Sequence, residues 1–392
     1  MRGDLTPIDD TLAADDSEGY LIEASGDEAD QAYLSGFWAP DSFVTLYVDG
    51  EVHCLVNPLE YGRAKAESLA TSVVNVAEFD YFERLEEHER HEAWASTIAD
   101  FCDAFDVSSI TVPGRFPLMV AEVLRSEGMT ISVDTDGVLG TIRAVKTEPE
   151  LEAIAESQDA AQEAMAAAEA LISEADIAED GTLVFEGETL TSERLKLEIE
   201  RTLLEQRCSL DETIVSCGVD AADPHERGSG PILAGELIII DIFPRHKDHR
   251  YCGDFTRTFV KGEAEATQQE WYDLTLEAKE TALDMIEEGV TGEAVHDAVC
   301  DVYEASGQPT LRSDPDTTVG FIHSTGHGVG LAVHEGPSLS RTGEELEANH
   351  VVTVEPGLYD PAVGGVRIED LVVVTEDGYH NLTEYPQELV IE

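Results

Sequence analysis

Four apolar, strand-like segments of this 392-residue chain each carry one carboxylate out of keeping with its neighbours. They are ELIIIDIF with Asp241, YCGDFTRTFV with Asp254, HVVTVEPGLY with Glu355 and GGVRIEDLVVV with Glu369. Between the second and third lies FIHSTGHGVGLAVHEGP, a glycine-rich stretch holding His323, His327 and His334. An ionised carboxylate among branched apolar side chains is costly unless a cation or a set of donors offsets its desolvation. Four of them converging with a histidine therefore point to metal ions. Oxygen-rich ligation with a single imidazole favours Mn2+, Fe2+, Co2+ or Zn2+ over a soft thiolate metal. Four carboxylates are too many for one ion with an open position, whereas two divalent ions that share two carboxylates and a hydroxide nearly balance the charge. Such a pair makes a nucleophile at neutral pH and polarises a carbonyl, which is the chemistry of amide hydrolysis.

The elements that must position these residues are legible in outline. Asp241 ends the run Leu-Ile-Ile-Ile and Glu355 follows Val-Val-Thr-Val, both patterns of strands buried on two faces. Alternation puts Arg367, Glu369 and Leu371 on one face, so Arg367 is expected to brace Glu369. Thr147-Glu-Pro-Glu150 is a capping box with proline just inside, opening a long helix with apolar positions at Leu151, Ile154, Ala155, Ala161, Met165, Ala168 and Ile172. The domain boundary is placed just before it, giving an N-terminal α/β domain over 1–145 and a catalytic domain over 146–392. Further helices are expected at about 190–207, 268–288 and 292–306, with a strand near 212–216. Helix-plus-paired-strands then occurs twice, the pattern of a pseudo-symmetric α+β domain.

In the first domain, residues 1–35 read as a short helical or loose entry. FVTLYV and EVHCLV flank Asp49-Gly50, a two-residue hairpin signal. Helical patterns at 60–70 and 88–105 alternate with the strand-like runs SVVNVAEF, SSITV and TISVD. His88 and His91, with Glu89 and Glu92, have helical spacing for a metal but lack a third ligand nearby, and are read as a solvated helix face.

Composition narrows the setting. There are 83 acidic residues against 23 basic ones, a formal net charge of −60. Self-repulsion on that scale is tolerable in a folded chain only under strong screening, and a 42% hydrophobic content argues against disorder. The expectation is a halophile's cytoplasmic protein, bathed in molar salt where the Debye length is about 3 Å. No basic patch is available for nucleic-acid phosphates. Six cysteines show no C-x-x-C spacing and read as reduced, buried thiols. Neither an apolar leader nor a run of 18 apolar residues suggests a membrane partner.

The order Asp, Asp-x-Thr-Arg-Thr, Gly-His-Gly-x-Gly, Val-Glu-Pro-Gly and Arg-Ile-Glu-Asp resembles the pita-bread metallopeptidases: methionine aminopeptidase, aminopeptidase P and prolidase. The resemblance covers about 148–392, and the preceding unit is similar to the N-terminal domain of the aminopeptidase P and prolidase branch. It implies a pita-bread fold of pseudo-symmetric αββ halves and a homodimer. It also implies that Asp241 chelates one metal, that His327 and Glu355 bind the other, and that Asp254 and Glu369 bridge both, Mn2+ or Co2+ ranking ahead of Zn2+ or Fe2+. Glu355 would shuttle the proton, His334 would touch substrate, His323 and His225 would line the proline pocket or steady the tetrahedral intermediate, and Arg367 would orient Glu369. The implied substrate is a peptide with proline in second position, cut before the proline. A creatinase-like C–N hydrolase and a non-catalytic binding protein of the same fold are the alternatives; both would be expected to lose ligands, and all five are retained. Two departures stand out: the first aspartate lies in Asp241-Ile-Phe-Pro rather than Asp-x-Gly, and the PRHKDHR connection to Asp254 is longer than the family pattern.

The charge makes a direct prediction. The melting temperature should fall on dilution from molar salt to about 0.1 M, where the screening length grows to about 10 Å. An unchanged value in thermal melts across that range would contradict it.

Overall fold

The structure is a computed structural model that describes residues 2–391, and the chain divides into two compact units, 1–143 and 144–392. The first is built on a six-stranded sheet. Phe43–Val48 and Glu51–Val56 pair antiparallel across Asp49-Gly50, whose φ angles of 51° and 77° are those a type I′ turn requires. Gly19–Ala24 pairs antiparallel with Phe43–Val48 and parallel with Ser109–Pro113, and Ser72–Asn75 and Thr130–Asp134 add parallel strands at the two edges. Helices Tyr61–Glu67 and Arg90–Asp103 fall where the periodicity predicts.

Two expectations for this unit are corrected. Residues 1–35 hold the expected short helix, Thr6–Asp15, but also the inner strand Gly19–Ala24 and helix Ala29–Ser35, which a short helical or loose entry did not include. Tyr20, Leu21 and Ile22 are all buried, so this strand shows a short apolar run, not an alternating pattern, and acidic residues flank it on both sides. SVVNVAEF is a strand only as far as Asn75, whose side chain accepts from the Ala77 N–H and starts the 3-10 turn Val76–Phe79.

The second unit opens on helix Glu148–Glu174. The expected capping box is present: the Thr147 backbone N–H and hydroxyl both donate to the Glu150 carboxylate, at 2.7 and 2.6 Å. With Ser192–Glu205 this helix buries Ala161, Met165, Ile172, Leu195 and Ile199 against Ile238, Ile240, Ile242, Phe255 and Phe259. Those residues belong to a four-stranded sheet, ordered Ile214–Cys217, Ile238–Ile242, Phe255–Lys261 and Val390–Ile391. In the second half, helices Ala266–Leu283 and Gly292–Ala305 cover Val352, Val354, Val372 and Val374. These lie on a five-stranded sheet containing Gly326–Gly328, Val351–Val354 and Asp370–Thr375. A helix pair backing a sheet thus occurs twice, as the sequence pattern predicts.

Period-two alternation then decides what the sheets present on their other faces. Ile238, Ile240 and Ile242 enter the helix-backed core, so Ile239 and Asp241 point the opposite way. Phe255 and Phe259 do the same for Asp254, Thr256 and Thr258, and Val352 and Val354 for Thr353 and Glu355. The carboxylates are thereby delivered to one region between the halves of this unit.

Candidate active site

Asp254, His327 and Glu369 each place a ligand atom within 4.8 Å of the others. His327 Nε2 lies 3.6 Å from Asp254 Oδ2 and 3.3 Å from Glu355 Oε1. Asp241 is near enough that its charge raises the pKa values of Asp254, Glu355 and Glu369. The structure therefore gathers all five residues singled out from the strand patterns.

Local structure accounts for each placement. The Gly-His-Gly segment threads where no side chain fits: a Cβ at Gly326 would meet the Thr353 carbonyl oxygen at 1.9 Å, and one at Gly328 would meet that of Gly336 at 2.1 Å. His327 sits between them, its Nδ1 donating to the Gly328 carbonyl at 3.1 Å. That contact fixes the tautomer and leaves Nε2 as a lone pair facing the carboxylates. Gln158, on the long helix, clasps the Asp254 backbone, its Nε2 on the carbonyl at 2.9 Å and its Oε1 on the N–H at 2.8 Å. Thr256 donates to Glu369 Oε2 at 2.6 Å, and Thr353 to Glu355 Oε1 at 3.2 Å.

Burial dominates the electrostatics. It pushes Asp254 and Glu369 well above the usual carboxylate range, the neighbouring carboxylates adding to the effect. Burial likewise raises Glu355 to about 7, Arg367 working against it. His327 and His334 are lowered, again mainly by burial. For Arg367, burial opposes the charge, yet Tyr359, Asp241 and Glu355 more than offset it and hold the pKa above its ordinary value.

The expected direct brace of Arg367 on Glu369 takes a different form. Arg367 Nη2 donates to Asp241 Oδ2 at 2.7 Å and Nη1 to the Tyr359 hydroxyl at 2.9 Å. It reaches Glu369 only by way of Thr256 Oγ1, 3.3 Å from its Nε. The other oxygen of Asp241, Oδ1, is buried with no hydrogen-bond partner. His323 is lowered to about 3 by burial. Its Nδ1 donates to the Ser324 carbonyl at 2.7 Å, so Nε2 accepts from the Tyr359 hydroxyl at 3.0 Å. Arg367, Tyr359 and His323 form one relay of hydrogen bonds. His334 packs against His327, ring centroids 4.2 Å apart. His225 is exposed, near enough for its charge to be felt at both His323 and His334.

Sequence reasoning missed Thr256, Thr353 and Tyr359 as site residues. The two threonines carried a usable signal, since each is two positions from a site carboxylate on the same strand face; Tyr359 carried none. His88 and His91 belong to neither of the two candidate ligand clusters found among the described residues.

Two helix-backed sheets enclosing buried carboxylates and a histidine define a peptidase of the pita-bread fold, a conclusion that comparison with known proteins supports. Residues 152–376 match the model of metallopeptidase family M24, and residues 6–145 that of the creatinase/prolidase N-terminal domain. The chain belongs to metallopeptidase family M24, whose members act with divalent metal ions. It is 30% identical over 349 residues to an Xaa-Pro dipeptidase of Pyrococcus furiosus, covering 88% of each chain. With the Xaa-Pro dipeptidase of Pyrococcus horikoshii the identity is 29% over 363 residues, 91% of each. Among solved structures, a prolidase from Pyrococcus horikoshii OT3 superposes with a TM-score of 0.80 at 26% identity, covering 98% of this chain and 99% of that one. An X-Pro aminopeptidase from Thermotoga maritima gives 0.77 at 25%, covering 96% and 98%.

The raised carboxyls predict an unusual pH dependence for the metal-free protein. A carboxyl whose folded pKa exceeds its unfolded value contributes stability that is full below the unfolded pKa and is lost as pH rises through the folded one. For Glu355 that upper limit is about 7. Chelator-stripped protein should therefore melt at a higher temperature near pH 6 than near pH 8, and saturating metal should abolish the difference. A stripped protein whose melting temperature is flat or rises over that interval would contradict this.

Proposed function

We propose that this protein is an Xaa-Pro dipeptidase that uses two divalent metal ions. The observation that supports it most is the buried group of four carboxylates and one lone-pair imidazole, found in a chain that matches two Xaa-Pro dipeptidases over 88% and 91% of their length. The donor set fits such ions. Asp241 Oδ1 is buried and unpartnered, His327 presents Nε2 as a lone pair, and the raised carboxyls lack the positive charge that would let them ionise. Asp241, Asp254, His327, Glu355 and Glu369 would hold the ions, and the oxygen-rich set suits Mn2+ or Co2+.

When bound, the ions supply Lewis acidity that lowers the pKa of water and polarises the scissile carbonyl. The chain's own residues do the rest. Glu355, raised to about 7 before any cation is present, takes the proton of the attacking water and returns it to the departing proline nitrogen. His334, beside His327, faces the substrate as a neutral donor. The Arg367–Tyr359–His323 relay fixes the carboxylate of Asp241 at one end and the orientation of His323 at the other. His225 extends the histidine set towards solvent, where a short peptide enters. The reading includes a cytoplasmic homodimer adapted to high salt, consistent with six free cysteines and with a surface that is strongly acidic.

Hydrolysis of Xaa-Pro dipeptides compared with longer Xaa-Pro peptides, in molar salt, tests the proposal. Dipeptides should be the better substrates, chelator should remove the activity and Mn2+ or Co2+ restore it. Glu355→Gln should lower kcat by about 100-fold or more. Preference for longer peptides would shift the assignment to an aminopeptidase, and chelator-resistant hydrolysis would overturn it.

A further inference from the structure

The loop that carries His334 leaves its sheet after Gly328 and rejoins it at Glu335, and those two residues pair with each other. His334 is exposed and leans on the ring of His327, with centroids 4.2 Å apart. The residue after it is anchored from inside the protein. The Glu335 side chain is only 6% exposed, and its Oε1 lies 2.7 Å from Nζ of Lys146, whose side chain is 1% exposed. The same carboxylate is folded back into its own loop. The Ala332 N–H donates to Oε2 at 3.4 Å, and a Cβ at position 330 would come within 2.2 Å of Oε1, so glycine there leaves the acid its place.

Lys146 is fixed in turn by its main chain. It stands just ahead of helix Glu148–Glu174, and its backbone N–H donates to the Asn349 carbonyl at 3.0 Å. Asn349 lies two residues before Val351–Val354, the strand that runs directly into Glu355. One residue thereby joins the loop bearing His334 to the segment bearing Glu355. Backbone bonds gather the same neighbourhood: Val329 N–H donates to the Val351 carbonyl at 3.0 Å, and Cys252 N–H to the Gly330 carbonyl at 2.8 Å. Nearby His350 is held down at about 4 by burial first and by Lys146 next, so it is neutral at pH 7 and adds no like charge beside the ammonium. An ion pair so fully withdrawn from water adds little net stability, because desolvation offsets much of its attraction. What such a pair does supply is a fixed geometry.

We propose that Lys146 and Glu335 are positioning residues for His334: their ion pair sets the backbone immediately after His334 and so holds its imidazole against the substrate. The inference rests on the peptidase reading, in which His334 faces the substrate. Neither partner takes part in the chemistry itself. Displacing a substrate-contacting group by about 1 Å can cost up to about 100-fold in rate, so a pair that only holds a loop in place can still govern turnover.

The test is a mutant cycle on the full-length protein, assayed with an Xaa-Pro dipeptide in molar salt. Lys146→Met keeps most of the apolar stem, and Lys146→Met/Glu335→Gln removes both charges together, so that no charge is left buried alone. Each should bind as much metal per chain as the unsubstituted protein and lose about tenfold in kcat/KM, divided between kcat and KM as it is in His334→Ala. In a His334→Ala background Lys146→Met should cause no further loss, because the group it positions is gone. Losses that multiply in that background, or unaltered kinetics in Lys146→Met and in the double variant, would overturn the proposal. Absence of hydrolysis by the unsubstituted protein would count against the peptidase reading alone. The NMR signal of the His334 ring, assigned by its loss in His334→Ala, then decides: a signal displaced in Lys146→Met upholds the positioning role, and an unmoved one overturns it.

Discussion

The cost of holding carboxylates away from water organises the larger unit of this protein. Neighbouring residues show how the chain meets it in two ways. Asp370 points into the core, where Arg257 at 2.9 Å and Lys279 at 2.6 Å face it. Burial raises its pKa, but these two cations overcome that and leave it below the ordinary value. Glu369, one residue earlier and on the opposite strand face, receives a hydroxyl from Thr256 but no such pair of cations, and its pKa is driven upward. The protein can supply positive charge to a buried acid and does so where the acid is structural. At the site, on the proposed reading, that compensation would come from divalent ions.

The distribution of basic residues follows the same division. Of the six lysines in the sequence, Lys146, Lys261 and Lys279 are buried, bonded to the Glu335 carboxylate, the Ser173 carbonyl and the Asp370 carboxylate respectively. Arg257 and Arg367 are buried as well. Half of the lysines thus serve an internal acid or carbonyl, and the surface is left strongly acidic. That surface suits concentrated salt, where repulsion is short-ranged, while the interior pairs are shielded from it.

Much of this arrangement was legible in the sequence because it depends on short-range rules. An acid in an apolar strand, glycines on either side of a histidine, and a capping box before a long amphipathic helix each have local signatures. The helix pairs and the faces bearing Asp241, Asp254 and Glu355 followed from periodicities of 3.6 and 2. What escaped was set by tertiary contact. Arg367 shares a strand face with Glu369, but its side chain is long enough to cross to Asp241, a choice no alternation pattern encodes. Gly19–Ala24 is a strand because neighbours 21 and 91 positions away pair with it, as Glu23 with Val44 and Gly19 with Ile110 show.

The central claim, that the buried carboxyls of the site hold protons until divalent cations replace them, can be tested by calorimetry. Titrating Mn2+ or Co2+ into chelator-stripped protein, in buffers of different ionisation enthalpy, counts the protons released on binding. The account predicts net release that grows as the pH is lowered from about 8 to about 6.5. Binding without proton release at either pH would show that these carboxylates are already ionised without the metal, contrary to the account.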